Sequence, residues 1–156
     1  MPAIRPAKKE DIPRILELLI QVDMVHHRIR PDLFNGPVTK YSESELEVIL
    51  SDETTPVFVF PDEDGRVLGY VFCVLKEQHG PLLTEMKTLY IDDLCVDEAA
   101  RGRGAGRAIY GHILAFARQK GCYNVTLNVW NCNPGAMEFY KKLGLTPYKV
   151  GMEQVL

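Results

Sequence analysis

The chain has 156 residues, 46% of them hydrophobic and 25% charged, with a formal net charge of −3. That length suits one folded domain with a real core, spanning 1–156, and the weak negative charge argues against a nucleic-acid partner. No apolar run approaches the ~20 residues of a membrane span or resembles a secretory leader, so neither a membrane partner nor export is expected.

Residues 3–6 read as a short first strand. Asp11 is positioned to cap a helix with Pro13 in its first turn, and Ile12, Ile15, Leu16 and Leu19 give that helix an apolar stripe to about Val25. His26 to Lys40 is polar, carries prolines at 31 and 37, and reads as a loop. Ser42 opens a second, short helix. Val57 to Phe60 and Val67 to Leu75 flank Asp62-Glu63-Asp64-Gly65-Arg66, a hairpin signal. Lys87 to Val96 is a further strand, Gly104 to Lys120 an amphipathic helix, and Val125 to Val129 a buried strand. Asn133 and Pro134 start a last helix that Gly144 ends, and Thr146 to Val155 reads as a closing strand or hairpin. A strand–helix–strand unit over 87–129 predicts a parallel pair with a right-handed crossover. The fold class is therefore α/β: a mixed, mostly antiparallel central sheet with helices on both faces.

The most informative stretch is Ile91 to Ala108, IDDLCVDEAARGRGAGRA. An apolar strand carries two adjacent acids, then runs into a loop of arginines and glycines that opens a helix. Gly102, Gly104 and Gly106 let the backbone turn tightly, and free N–H groups at a helix N-terminus attract anions. Arg101, Arg103 and Arg107 add positive charge suited to phosphate oxygens. Two readings remain at this point, a diphosphate cradle or a solvated basic turn. Lys-Ser or Lys-Thr does not follow Gly106, and the last glycine of a dinucleotide fingerprint is absent, which argues against ATP and NAD. The cysteines at 73, 95, 122 and 132 show no C-x-x-C and no zinc spacing with histidine, so no metal is expected. Three of them lie in or beside apolar runs, which suggests buried thiols in a reducing cytoplasm.

Together these residues resemble the GNAT superfamily of N-acetyltransferases. Its cofactor motif, Q/R-x-x-G-x-G/A after an apolar strand, matches Arg101-Gly-Arg-Gly104-Ala-Gly106. A second motif matches in order at Asn133-Pro-Gly-Ala136, Phe139-Tyr140 and Leu143-Gly144. The resemblance implies acetyl-CoA as cosubstrate and a bulged strand before the loop, so that the parallel pair splays and admits the pantetheine arm. Leu94, Cys95 and Val96 then supply backbone groups to that arm. The N–H groups of Arg101, Gly102, Arg103, Gly104, Ala105, Gly106 and Arg107 hold the diphosphate. Asn133 contacts the cofactor, caps its helix, or does both.

Tyr140 is the implied acid near the cofactor sulfur, although Ala136, Phe139, Tyr140 and Leu143 also read as a core stripe. Asp92 matches the acidic base of spermidine/spermine N-acetyltransferases. Strand alternation sends Asp92 and Asp93 to opposite faces, which leaves Asp93 a structural role. His26 and His27 fall where the family builds its acceptor wall, but also read as surface residues. Trp130 and Asn131 floor the cleft or pack it, and His112 reads as packed and hydrogen-bonded. Cys95 has no histidine partner, so direct transfer is expected rather than an acyl-enzyme. The expected activity is acetyl transfer to a primary amine of a polyamine, amino sugar or peptide, by a chain that dimerises. The alternative is a non-catalytic acyl-CoA-binding sensor or interaction module of the same fold.

Overall fold

The structure, a computed structural model, describes residues 3–156. In chain order it contains β1 (Arg5–Pro6), α1 (Ile12–Ile29), α2 (Glu43–Ser51), β2 (Val57–Pro61), β3 (Val67–Gln78), β4 (Met86–Val96), α3 (Ala105–Gln119), β5 (Asn124–Leu127) and α4 (Pro134–Lys142), with single 3-10 turns at Lys9–Asp11 and Glu98–Ala100. The strands form one sheet in sequence order. Every neighbour pair is antiparallel except β4 and β5, which run parallel from Thr88 opposite Asn124 to Ile91 opposite Leu127. The β2–β3 hairpin closes because the Asp62 carboxylate accepts from Asp64 N at 2.9 Å and Arg66 N at 2.8 Å, while Gly65 takes a φ of +83°.

Helices cover both faces. Ile12, Ile15, Leu18 and Leu19 of α1 and Leu46 of α2 pack on Val57, Val59, Tyr70, Phe72 and Cys95. Ile109, Tyr110, Ile113 and Ala117 of α3 pack on Phe58, Val71, Cys73, Leu89 and Ile91 of the opposite face. The mixed, mostly antiparallel α/β sheet is thus as the residue pattern predicts.

One irregularity in β4 organises the rest. Cys73 of β3 faces Ile91, but the next residue, Phe72, faces Asp93, which leaves Asp92 as an extra, bulged residue. Before the bulge, Leu89 and Ile91 face α3; after it, Leu94 and Val96 do, while Cys95 faces α1. Asp92 and Asp93 therefore both point to the α1 face. This corrects the expectation of opposite faces, which holds only for a regular strand. Pairing between β4 and β5 stops at Ile91, so the backbone from Asp92 to Val96 has no β5 partner and the parallel pair splays.

A buried ion pair pins the far end of β4. The Arg14 guanidinium of α1 donates to the Asp97 carboxylate and, at 3.1 Å, to Val67 O. Asp97 also accepts from Ala99 N at 3.2 Å, and its own N–H donates to Leu68 O at 2.7 Å. Burial alone would raise the Asp97 pKa; the Ala99 N–H, Arg14 and Gln21 outweigh it and hold the carboxyl below its usual range.

Several element boundaries differ from the sequence reading. α1 continues to Ile29 and takes in His26 and His27, because the real stop is Pro31, which forces Arg30 out of the helical region. Asp11 makes no side-chain bond to the first turn of α1; its carboxylate reaches back to Lys8 N at 2.8 Å and to Arg5. β5 ends at Leu127, two residues short of the expected Val129, where its partner bends away. Thr146 to Val155 forms no strand or hairpin: the segment lies exposed beyond α4, tied by an ion pair of 2.7 Å between Glu153 and Arg30. Of the cysteines, Cys73 and Cys95 are buried, and Cys122 and Cys132 are half-buried. No helix among the described residues is long and apolar enough to cross a membrane.

Removing one partner of a buried pair strands the other charge. Asp97→Ala is therefore expected to cost roughly 3 kcal/mol, read as a lower urea midpoint at unchanged slope.

Candidate active site

The splay opens into a cleft of about 1090 Å³ between α1 with its following loop, the end of β4, the 100–107 loop, the end of β5 and α4. Of the residues singled out from the sequence, Asp92, Leu94, Cys95, Val96, Arg101, Gly102, Gly104, Ala105, Gly106, Arg107, Asn133 and Tyr140 all line it; Arg103 does not.

The loop is shaped by backbone preference. Gly102 and Gly104 both sit at φ +80°, the left-handed region, with open space where a side chain would be. Gly104 is the N-cap of α3 and offers no side-chain acceptor to the helix. The first-turn N–H groups of α3 are left for an anion, with the helix dipole behind them. Arg101 Nε donates to Val96 O at 3.3 Å, which ties the loop to the end of β4. Gly106 has a different reason: a Cβ there would lie 2.8 Å from Phe139 Cζ, so its absence lets α3 and α4 meet closely. The Asn133 side chain accepts from Ala136 N at 3.2 Å, so its capping role is observed, and it lines the cleft as well.

The bulge delivers two carboxylates to one wall. Asp92 accepts from the Tyr41 hydroxyl and lies 3.1 Å from Lys40 Nζ. Asp93 accepts from the Tyr70 hydroxyl at 2.9 Å. Burial pushes the Asp93 carboxyl up to about 6; Tyr70 and Lys40 pull the other way, and Asp92 adds to the rise. Tyr140 projects from α4 into the cleft, and its hydroxyl has no protein hydrogen-bond partner among the described residues. Burial holds its pKa well above the usual value, helped by Asp93, Cys95 and Tyr110. The stripe on α4 thus lies against α3 and the cleft, and none of its residues is fully buried.

Cys95 turns away towards α1, where Sγ lies 3.8 Å from Leu18 O, and burial raises its thiol to about 12. So little thiolate at neutral pH leaves it a poor nucleophile. An aromatic arch lines one side of the cleft: His26 stacks on Phe34 at 5.0 Å, and Phe34 meets the Trp130 ring edge-on at 5.2 Å. His27 Nδ1 lies 2.6 Å from Phe34 O and fixes the arch to α1. Burial, helped by Lys40, depresses the His26 pKa despite Asp23. His112 packs edge-on against Phe58 at 4.7 Å, with no hydrogen bond among the described residues.

Lys40, Tyr41, Tyr70 and Phe34 escaped the sequence reading. Each reaches the site across the sheet or from a loop, and no local spacing marks it. The one available signal was the acidic pair itself, since buried carboxylates need donors.

Asp93 supplies a pH test. Its carboxyl is raised in the folded chain, so its contribution to stability is full below its ordinary 3.8 and is lost as pH rises through about 6. Asp93→Asn, which keeps an acceptor for Tyr70, is expected to match the parent protein near pH 4 and to gain on it steadily towards pH 7, measured by urea unfolding at each pH.

The chain matches the model of the acetyltransferase (GNAT) family over residues 22–145. It is 36% identical over 80 residues to glucosamine 6-phosphate N-acetyltransferase 1 of Oryza sativa subsp. japonica, covering 47% of each chain. An uncharacterized N-acetyltransferase of Methanocaldococcus jannaschii is 26% identical over 147 residues, 94% of this chain and 62% of that one. The chain thus spans less than two thirds of the length of these curated relatives. Among solved structures, the tetramutant of the BH1408 protein of Bacillus halodurans superposes with a TM-score of 0.95 at 32% identity, over 99% of this chain and 100% of that one. An aminoglycoside acetyltransferase from an uncultured soil sample, solved with sisomicin, shares the fold with a TM-score of 0.75 at 20% identity, over 99% and 95% of the two chains. The chain belongs to the acetyltransferase (GNAT) family, whose members use acetyl-CoA as cosubstrate.

Proposed function

We propose that this domain, residues 1–156, moves an acetyl group from acetyl-CoA directly to a primary amine within a ternary complex. The observation that carries the reading is that one cleft is lined by the glycine–arginine loop, the unpartnered Tyr140 hydroxyl and the Asp92 carboxylate. The residues present fit the cosubstrate. The left-handed glycines and free first turn of α3 suit a diphosphate, and the unpaired β4 edge after Ile91 suits an extended amide-bearing arm.

Acetyl-CoA supplies the activated carbonyl; the chain supplies position and proton management. A primary ammonium has a pKa of about 10 and must lose a proton before it attacks. Asp92 takes that proton, directly or through a bridging water. As the nitrogen bonds to the carbonyl carbon and the carbon–sulfur bond breaks, the nitrogen sheds a second proton, which balances the one the departing sulfur gains, and Tyr140 stands at that sulfur. Its phenol, kept protonated by its raised pKa, donates a hydrogen bond to the departing sulfur, whose thiol has a pKa of about 8.5. Cys95 takes no part, because its thiol is buried and protonated. The acceptor is a polyamine, amino sugar or peptide amine. Asp23, Asp92 and Asp93 on the cleft wall favour a cationic partner. The reaction takes place in the cytoplasm.

A homodimer completes this proposal. A groove of about 1360 Å³ separates β5 from the extended tail. That tail exposes Tyr148, Val150 and Met152 at 67, 77 and 90%, an alternating apolar edge with no cover in its own chain. Among the described residues β5 pairs with β4 alone, so its outer edge can take a strand from a second copy. Stable dimers bury roughly 1,200–2,000 Å², and the exchange of two tails into two grooves is the contact proposed to supply it.

An amine panel with acetyl-CoA, read by product mass, tests the activity. Tyr140→Phe is expected to lower kcat by roughly 100-fold or more with little change in the KM for acetyl-CoA, and Asp92→Asn to lower kcat with little change in acetyl-CoA binding. Binding of acetyl-CoA without turnover on every amine class would instead mark a non-catalytic sensor. In sedimentation, the protein is expected at twice its 17.7 kDa, and Val150→Asp at the monomer mass.

A further inference from the structure

The carboxylate assigned to the acceptor's proton is already occupied by a cation. Lys40 Nζ lies 3.1 Å from Asp92 Oδ2 and 3.4 Å from the Asp92 carbonyl oxygen. The chain on both sides of Lys40 is anchored. Val38 N donates to Asp23 Oδ2 at 3.2 Å, the Tyr41 ring packs 5.6 Å from Phe72, and Ser42 caps α2. The Lys40 side chain is itself 47% exposed, so the backbone is held while the ammonium is free to swing. It lines both the cleft and the adjoining groove beneath β5.

We propose that the Lys40 ammonium holds the seat of the acceptor amine on Asp92 and is displaced by it, which makes Lys40 a specificity-determining residue. The inference rests on Asp92 receiving the acceptor's proton. The exchange is like for like. An incoming primary ammonium brings the same charge and the same N–H donors, and so replaces the Lys40 contact in full. A quaternary ammonium brings the charge without the donors and leaves the carboxylate oxygens less well satisfied. A neutral acceptor leaves Lys40 in place.

The surroundings argue against the opposite role, an anchor for an anionic group of the acceptor. The lysine lies against Asp92 and close to Asp93, with Asp23 on the same cleft wall, and these carboxylates repel an anion. The nearby Arg30 is already engaged by Asp32 and Glu153.

Binding to the protein without acetyl-CoA isolates the competition. The affinity of n-butylamine is measured by NMR titration and compared with that of butyltrimethylammonium, which lacks N–H donors. Lys40→Gln is expected to bind butylamine roughly two- to fivefold more tightly, the scale of a half-exposed ion pair. It should gain less for the quaternary ion, and Lys40→Arg should stay within about twofold of the parent. In turnover the same change appears as a lower KM for the amine. Lys40→Met repeats the charge removal should Lys40→Gln fold poorly. Unchanged or weaker butylamine binding in both neutral variants overturns the proposal. So does a selective loss of glucosamine 6-phosphate binding, which would make Lys40 an anion anchor. Full kcat in Asp92→Asn would instead overturn the assignment of the base, whatever the Lys40 variants do.

Discussion

One extra residue in β4 is the constraint on which the site depends. A regular strand would send Asp92 and Asp93 to opposite faces and keep β4 paired with β5 beyond Ile91. The bulge at Asp92 undoes both at once. It places two carboxylates on the α1 face, within reach of Tyr41, Tyr70 and Lys40, and frees the backbone that follows. The same shift keeps the sheet intact. Leu89 and Ile91 before it, and Leu94 and Val96 after it, all serve the core under α3, so the irregularity is absorbed without loss of packing.

Such a site asks for stiffness around it, and the surrounding bonds supply that. β4 is held at its far end by Arg14 and Asp97, at its bulge by two tyrosine hydroxyls, and along its length by pairing with β3. Each bond comes from a different element: α1, the segment before α2, and β3. The carboxylates are thereby fixed in position without being neutralised by a close arginine. Asp92 is met instead by the half-exposed Lys40, and burial sets Asp93 apart from its neighbour.

How much of this was readable in the chain follows from how local each cause is. The 101–107 loop announces itself because left-handed glycines and a helix start are properties of adjacent residues, and Asn133 caps α4 for the same reason. Tyr140 stood out by its place in a spaced motif. The bulge left no mark, because Asp92 is extra only relative to β3, and register is a property of two strands. Lys40, Tyr41 and Phe34 reach the cleft from a segment with no periodicity, so their neighbours appear only once α1, α2 and β4 are packed. α1 ran past its expected end because its apolar stripe fades before the helix does, and Pro31 is what stops it. The tail departs for the reverse reason: its alternation of Tyr148, Val150 and Met152 is that of a strand, but a groove separates it from the edge of β5 and it joins no strand among the described residues.

The contact between Gly106 and the Phe139 ring joins two parts that a chemist would wish to adjust separately. Residue 106 belongs to the glycine–arginine loop proposed to face the diphosphate, and residue 139 precedes Tyr140 on α4. With no side chain between them, the two elements behave as a single lever. Under the function proposed above, substitutions at this joint move the loop and the phenol together, so directed evolution of the domain will find affinity and turnover changing together there.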